Sequence, residues 1–353
     1  MVVQIKKLFD KYFITNLIIT IFVFSFGVFI NRGLSIEPVS LGVYFDELSM
    51  MLPEVSNHRF PQRILLPLIS YLTGINVQIL NIFILFVFIF SIFNYLLIKQ
   101  SRTISFFVTL MVATTMVFQF HIIYGGYPDA LSLLLYFLAI KNTDSKKFYF
   151  FIFLSLLTRE AALVMIPVLY LIKIRNNKKE NVFFNLVFLL IIYLPIYFLL
   201  QQGGNENNAN GWEFYLIPLI EDPLFWFNKS TDFYWLGLFS ALKFLLLLIP
   251  LIIKSKKDLL LIVVSLLCVN IQFLVSGGDN TRYWLIFVIP ILYLVSINLK
   301  ESNTVLAIAS LVVFLNIITP KYYVFTDAYD GGVYVTPNDS KIHIFDIYAF
   351  FNN

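Results

Sequence analysis

The segment FYFFIFLSLLTREAALVMIPVLYLI, from Phe148 to Ile172, is apolar except around Thr158-Arg159-Glu160 at its middle. Two structures are open to it. As one helix it carries Arg159 and Glu160 near a bilayer centre, where an ionisable side chain costs about 2.5 to 3.5 kcal/mol on insertion scales. As a hairpin it has two short legs, Phe148 to Leu157 and Ala161 to Ile172, each roughly 15 to 18 Å long and about half the hydrocarbon thickness. The flanking charges discriminate between them. A hairpin keeps Lys141, Lys146 and Lys147 on the same side as Lys173, Arg175, Lys178 and Lys179, as the positive-inside rule requires, whereas a single helix separates the two groups.

The rest of the chain supplies the setting for that hairpin. Its 353 residues are 59% hydrophobic and only 13% charged, with a mean hydropathy of +0.82. A soluble domain carries roughly 25% charged residues, so this is a polytopic membrane protein. Helices satisfy every backbone group inside lipid without closing a barrel, and the expected fold class is all-α. The segment from Ile14 to Ile30 follows Lys6, Lys7 and Lys11 and lacks a small-residue cleavage site, which reads as an uncleaved first span. Further spans are expected at about 77–98, 104–121, 129–140, 181–201, 235–253, 259–276, 283–299 and 304–319. With the two hairpin legs these make about eleven crossings in a single integral-membrane domain, residues 1–353, with the N-terminus cytoplasmic and the C-terminus outside. The expected location is a bacterial-type cytoplasmic membrane.

This topology gathers the remaining charges on the outer face. A first outer segment, 31–76, contains Asp46-Glu47, Arg59, Arg63 and a short interfacial helix beginning at Arg63; an aromatic loop at 202–234 and a short polar tail at 320–353 complete that face. Asp129 follows Pro128 at the start of a span, Arg159-Glu160 forms the hairpin tip, and Asp279 and Arg282 flank an outer turn. Each has a plain alternative reading. Asp46 and Glu47 are acceptable as solvated carboxylates, Asp129 as an acid favoured by a helix dipole, Arg159-Glu160 as a local ion pair, and Arg282 as a snorkelling side chain. Their chemical reading is more specific. A carboxylate can accept the proton of an attacking hydroxyl, and guanidinium groups bind phosphate oxygens through a planar fork.

Several classes are set aside. Cys268 is the only cysteine, so no disulfide framework or thiolate cluster is expected. His58, His121 and His343 lack metal-ligand spacing, no Gly-rich phosphate loop or Ser-centred elbow occurs, and no nucleic-acid module is present.

The order of Phe45-Asp46-Glu47, Phe60-Pro61-Gln62-Arg63-Ile64-Leu65-Leu66-Pro67, Tyr127-Pro128-Asp129-Ala130-Leu131, Leu157-Thr158-Arg159-Glu160-Ala161-Ala162-Leu163 and Asp279-Asn280-Thr281-Arg282-Tyr283 resembles the GT-C superfamily of membrane glycosyltransferases. The likeness is to bacterial members similar to protein O-mannosyltransferases and aminoarabinose transferases. It implies transfer of a sugar from a polyprenyl-phosphate donor to an envelope glycan, lipid or protein on the extracytoplasmic side, by inverting single displacement. The resemblance makes Asp46 and Glu47 the catalytic pair and Arg159 and Arg282 the donor-phosphate ligands, with Arg59, Arg63, Asp129, Glu160 and Asp279 as a second tier. The acidic motif here is Asp-Glu rather than Asp-x-Asp, so a divalent-cation requirement does not carry over, and no cofactor is expected. A transporter or flippase of a lipid-linked or anionic solute, and a polysaccharide polymerase, are the alternative readings.

Overall fold

The computed structural model describes residues 2–31, 34, 36–38, 41–52, 63–159, 161–176, 181–202, 220–222, 234–276, 280–319, 321–326 and 333–338. Arg59, Glu160 and Asp279 lie outside the described residues, as do most of the 202–234 loop and the last part of the tail.

The chain is a bundle of helices, as the composition requires. In order they are α1 (Val2–Ile30), α2 (Leu41–Met51), α3 (Leu65–Thr73), α4 (Val77–Leu96), α5 (Arg102–Ala113), α6 (Met116–Ile123), α7 (Asp129–Lys141), α8 (Lys147–Thr158), α9 (Ala162–Asn176) and α10 (Val182–Gln202). They are followed by α11 (Tyr234–Leu242), a 3₁₀ turn at Lys243–Leu248, α12 (Ile249–Ile252), α13 (Lys256–Ser276), α14 (Asn280–Leu285), α15 (Val288–Asn298) and α16 (Asn303–Ile318). Five stretches are individually long and apolar enough to cross a membrane: Tyr12–Ile30, Val77–Leu96, Val182–Leu200, Trp235–Ile252 and Thr281–Asn298. The bent pair α5 and α6 makes a sixth. The chain is therefore a helical integral membrane protein, with five or six helices of full spanning length among the described residues. The eleven expected crossings also count helices of 12 to 16 residues such as α8 and α16, which are too short to cross alone at about 1.5 Å per residue.

The hairpin is present. α8 stops at Thr158, Arg159 is extended (φ −163°, ψ 129°), and α9 restarts at Ala162. The far ends of the two legs then meet again. Asn176 Nδ2 in the last turn of α9 donates to Thr143 Oγ1 at 3.1 Å, and the buried Lys173 Nζ donates to the Thr143 carbonyl at 2.6 Å, in the connection leading into α8. A single continuous helix would carry Asn176 roughly 45 Å from that connection. Phe148 and Tyr149 each lie 5.2 Å from the Lys173 ammonium, so aromatic faces help hold this cation.

The same end of the bundle collects other polar contacts. Gln100 Nε2 donates to the carbonyls of Val295 and Ser296, both at 3.1 Å, Asn298 Nδ2 donates to the Ile252 carbonyl at 2.7 Å, and Arg175 pairs with Asp258. Asn16 of α1 donates to Asn94 of α4 at 2.9 Å and the Phe24 ring lies 5.5 Å from that of Phe86, so the two helices run antiparallel and the C-terminus of α1 lies toward the opposite end.

That opposite end is built around bends and glycines. α5 and α6 meet at 48°, where the hydroxyls of Thr114 and Thr115 bond back to carbonyls of the preceding turn, a known source of helix bending. Asn31 Nδ2 donates to the Ala113 carbonyl at 3.2 Å and Asn316 Nδ2 to Thr114 Oγ1 at 3.2 Å, so polar groups at the bend have partners in the membrane interior. Lys243, buried at the start of the 3₁₀ turn, donates to the carbonyls of Asn316 and Thr319 at 2.8 and 2.5 Å, the C-terminal end of α16. A cation placed there complements the helix dipole.

The tail adds β structure to the helical body. β1 (Lys321–Thr326) pairs antiparallel with β2 (Val333–Asn338), Lys321 opposite Asn338. The density of Tyr, Val and Phe in KYYVFT and VYVTPN suits a pleated strand, and the ribbon packs near α11 and α14.

Candidate functional site

The site is built where α6, α7, the α8–α9 break and α14 come together. The turn before α7 sets its geometry. Gly126 has φ +85°, a left-handed value suited to glycine, and its N–H donates to Gln78 Oε1 at 2.6 Å. Pro128 then leads into Asp129, the first residue of α7.

Asp129 is 4% exposed and holds two arginines. Arg282 Nε lies 3.0 Å from Oδ1 and 2.9 Å from Oδ2, and Arg282 Nη2 lies 2.6 Å from Oδ2. Arg159 Nη1 bonds to Oδ1 from the helix break. Both guanidinium groups are buried, at 5% and 2% exposure for Arg159 and Arg282. Aromatic rings line the cluster. The Arg282 guanidinium lies 4.7 Å from the centre of the Tyr127 ring and 5.8 Å from that of Phe120, and Arg159 lies 5.8 Å from the Tyr283 ring. A carboxylate in so dry a position is tolerated because it is bonded on both oxygens, and two desolvated cations near one anion need those bonds equally.

Two neighbouring groups are not used up. Among the described residues, Arg159 Nε has no hydrogen-bond partner, and neither ring nitrogen of the fully buried His121 has one. His121 sits in the last turn of α6, within electrostatic reach of Asp129, Arg282 and Arg159. Buried polar groups are normally paired, so those left over beside an ion cluster have capacity for further hydrogen bonds.

The acidic helix is joined to this cluster through backbone. Gly42 of α2 rests on the turn before α7: a β-carbon added there would lie 1.8 Å from the Gly125 carbonyl oxygen and 3.1 Å from Gly126 Cα. Only glycine allows this approach. Asp46 follows one turn along α2, a rise of about 6 Å from Gly42. Its Oδ1 accepts from Asn76 Nδ2 at 3.1 Å and from the Val77 N–H at 3.4 Å, while Asn76 itself caps α4 by accepting from the N–H groups of Gln78 and Ile79. Asp46 thus sits at a helix N-terminus, held among the described residues through one oxygen. Glu47 is exposed and makes no hydrogen bond or ion pair among the described residues, and Arg63 is buried just before α3.

Of the sequence-derived residues, Arg159, Arg282 and Asp129 form one contact group, while Asp46 and Glu47 lie on a separate short helix docked against the turn that presents Asp129. His121, which shares no metal-ligand spacing with His58 or His343, is drawn to the cluster only by the fold, and nothing in the sequence pattern singles it out. Among the described residues no group of three His, Cys, Asp or Glu side chains is placed to hold a metal ion. No protein-family model, curated protein or solved structure matches the chain.

Proposed function

We propose that the protein is an integral-membrane glycosyltransferase that moves a sugar from a polyprenyl-phosphate donor to an extracytoplasmic acceptor. The observation that carries this reading is the docking of an acidic helix, through Gly42, onto the turn that presents a buried arginine pair. In the proposed scheme Asp46 accepts the proton of the acceptor hydroxyl through its unanchored oxygen while that hydroxyl oxygen attacks the anomeric carbon. The bond from that carbon to the phosphate oxygen breaks with inversion, and its electron pair leaves with the polyprenyl phosphate. Arg159 and Arg282 offset the charge that develops on the leaving phosphate, Asp129 holds their planes in position, and Glu47 orients the acceptor. The eleven-crossing arrangement, with this end outside and the Lys173 and Arg175 end inside, belongs to the same proposal. Its support is the hairpin, which returns both basic flanks to one end of the bundle.

A second reading is transport of a lipid-linked or anionic solute. The bent α5–α6 pair and the broken α8–α9 pair favour it, because discontinuous helices with charged breaks are a transporter device. The two readings separate in one comparison. A transferase in detergent, with no gradient, forms a new glycosidic bond from a radiolabelled polyprenyl-phosphate sugar and an envelope-glycan acceptor. Translocation of the labelled lipid in vesicles, with no bond formed in either preparation, would establish transport instead.

A further inference from the structure

At the opposite end of the bundle, α9, α10 and α13 enclose a cavity of about 510 Å³. Its lining is divided by chemistry. Arg175, Asn181 and Lys257 supply polar and cationic groups, while Leu171, Leu260 and Phe183 supply apolar walls. Phe183 and Leu260 are 59% and 50% exposed, so the apolar side of the cavity continues onto the flank of the bundle. Val182 and Lys257 belong to the first turns of α10 and α13, where N–H groups are unmatched within the helix and the dipole favours an anion.

The charges around the cavity are unequal. Asp258 follows the lining residue Lys257, and its carboxylate accepts from Arg175 Nη1, from Ser255 Oγ at 2.8 Å and from the Lys254 N–H at 3.0 Å. Lys257 is exposed and has no ion pair among the described residues, and Lys254 and Lys256 are exposed beside it. A cavity cationic at one edge, greasy along the other and open on a membrane-facing flank matches a lipid with an anionic headgroup.

We propose that this cavity binds an anionic glycerophospholipid of the surrounding bilayer, its phosphate beside Lys257 and Arg175 and its acyl chains along Leu260 and Phe183. The site is separate from the Asp129 cluster and does not depend on the transfer reading. Basic pockets between membrane helices recognise such headgroups, and each Lys or Arg near a membrane surface contributes appreciably to the attraction.

The test is the relative association of spin-labelled phosphatidylglycerol and phosphatidylcholine with the full-length protein in neutral-lipid nanodiscs. The wild-type protein is expected to retain phosphatidylglycerol several-fold more strongly. Lys257→Ala should weaken that preference about fivefold, and Lys257→Arg should keep it. Lys257→Gln serves in place of the alanine variant if that one does not fold, since the side chain is exposed and makes no ion pair among the described residues. Equal retention of the two lipids by wild type, an unchanged preference in Lys257→Ala or its Gln replacement, or displacement of the labelled lipid only by polyprenyl phosphate would each overturn the proposal.

Discussion

Replacing Asp129 with Asn is expected to destabilise the folded protein by about 3 to 5 kcal/mol, because it leaves two buried guanidinium groups without their anion. Arg159 and Arg282 are both nearly inaccessible to solvent and both bond to this one carboxylate. The bonds tie the α8–α9 break and α14 to the first turn of α7. Thermal unfolding in detergent, followed by near-ultraviolet circular dichroism, should show a strongly lowered midpoint. Adding Arg159→Met to Asp129→Asn should recover part of the loss, since it removes one uncompensated charge and fills the space with an apolar chain; the two changes would then be non-additive. An Asp129→Asn protein that melts with the wild type would mean that the cluster is open to water and holds nothing together.

Asp46→Asn carries the largest expected effect on chemistry. If Asp46 is the base, transfer should fall by about 10² to 10⁴, the usual contribution of general base catalysis. The fold should be nearly untouched, because the Asn carbonyl can still accept from the Val77 N–H and Asn76 still caps α4. Glu47→Gln is expected to do less, raising the apparent KM for acceptor more than it lowers kcat. Full transfer activity in Asp46→Asn would remove it from the base role and leave the exposed Glu47 as the better-placed carboxylate.

The helical body and the hairpin could be read from the sequence because lipid imposes simple requirements. Apolar runs of membrane length announce α1, α4 and α10, and the basic flanks of Phe148–Ile172 select the fold-back because Lys and Arg stay on one side. What was not legible is the identity of partners. Asp129 lies 30 residues from Arg159 and 153 from Arg282, and each of the three had a plain reading alone. Local pattern carries no information about pairings over such separations. Gly42 and Gly125 look like ordinary loop glycines until their backbones are found touching, and the bend that brings His121 to the cluster depends on threonine hydroxyls turning back to carbonyls within α5. Apolar content marks a segment as avoiding water, but for legs of 12 and 15 residues such as α8 and α9 it does not settle whether each crosses the bilayer.

In the proposed topology the acidic helix and the arginine cluster share one face of the membrane while the hairpin's basic ends share the other. It is tested most directly by single cysteines at Glu47, Ala161 and Ser145 in a Cys268→Ser background, labelled in intact cells with a membrane-impermeant maleimide. Positions 47 and 161 should label from outside, and position 145 only after permeabilisation. Labelling of 161 and 145 from the same side, or of 47 and 161 from opposite sides, would contradict the account.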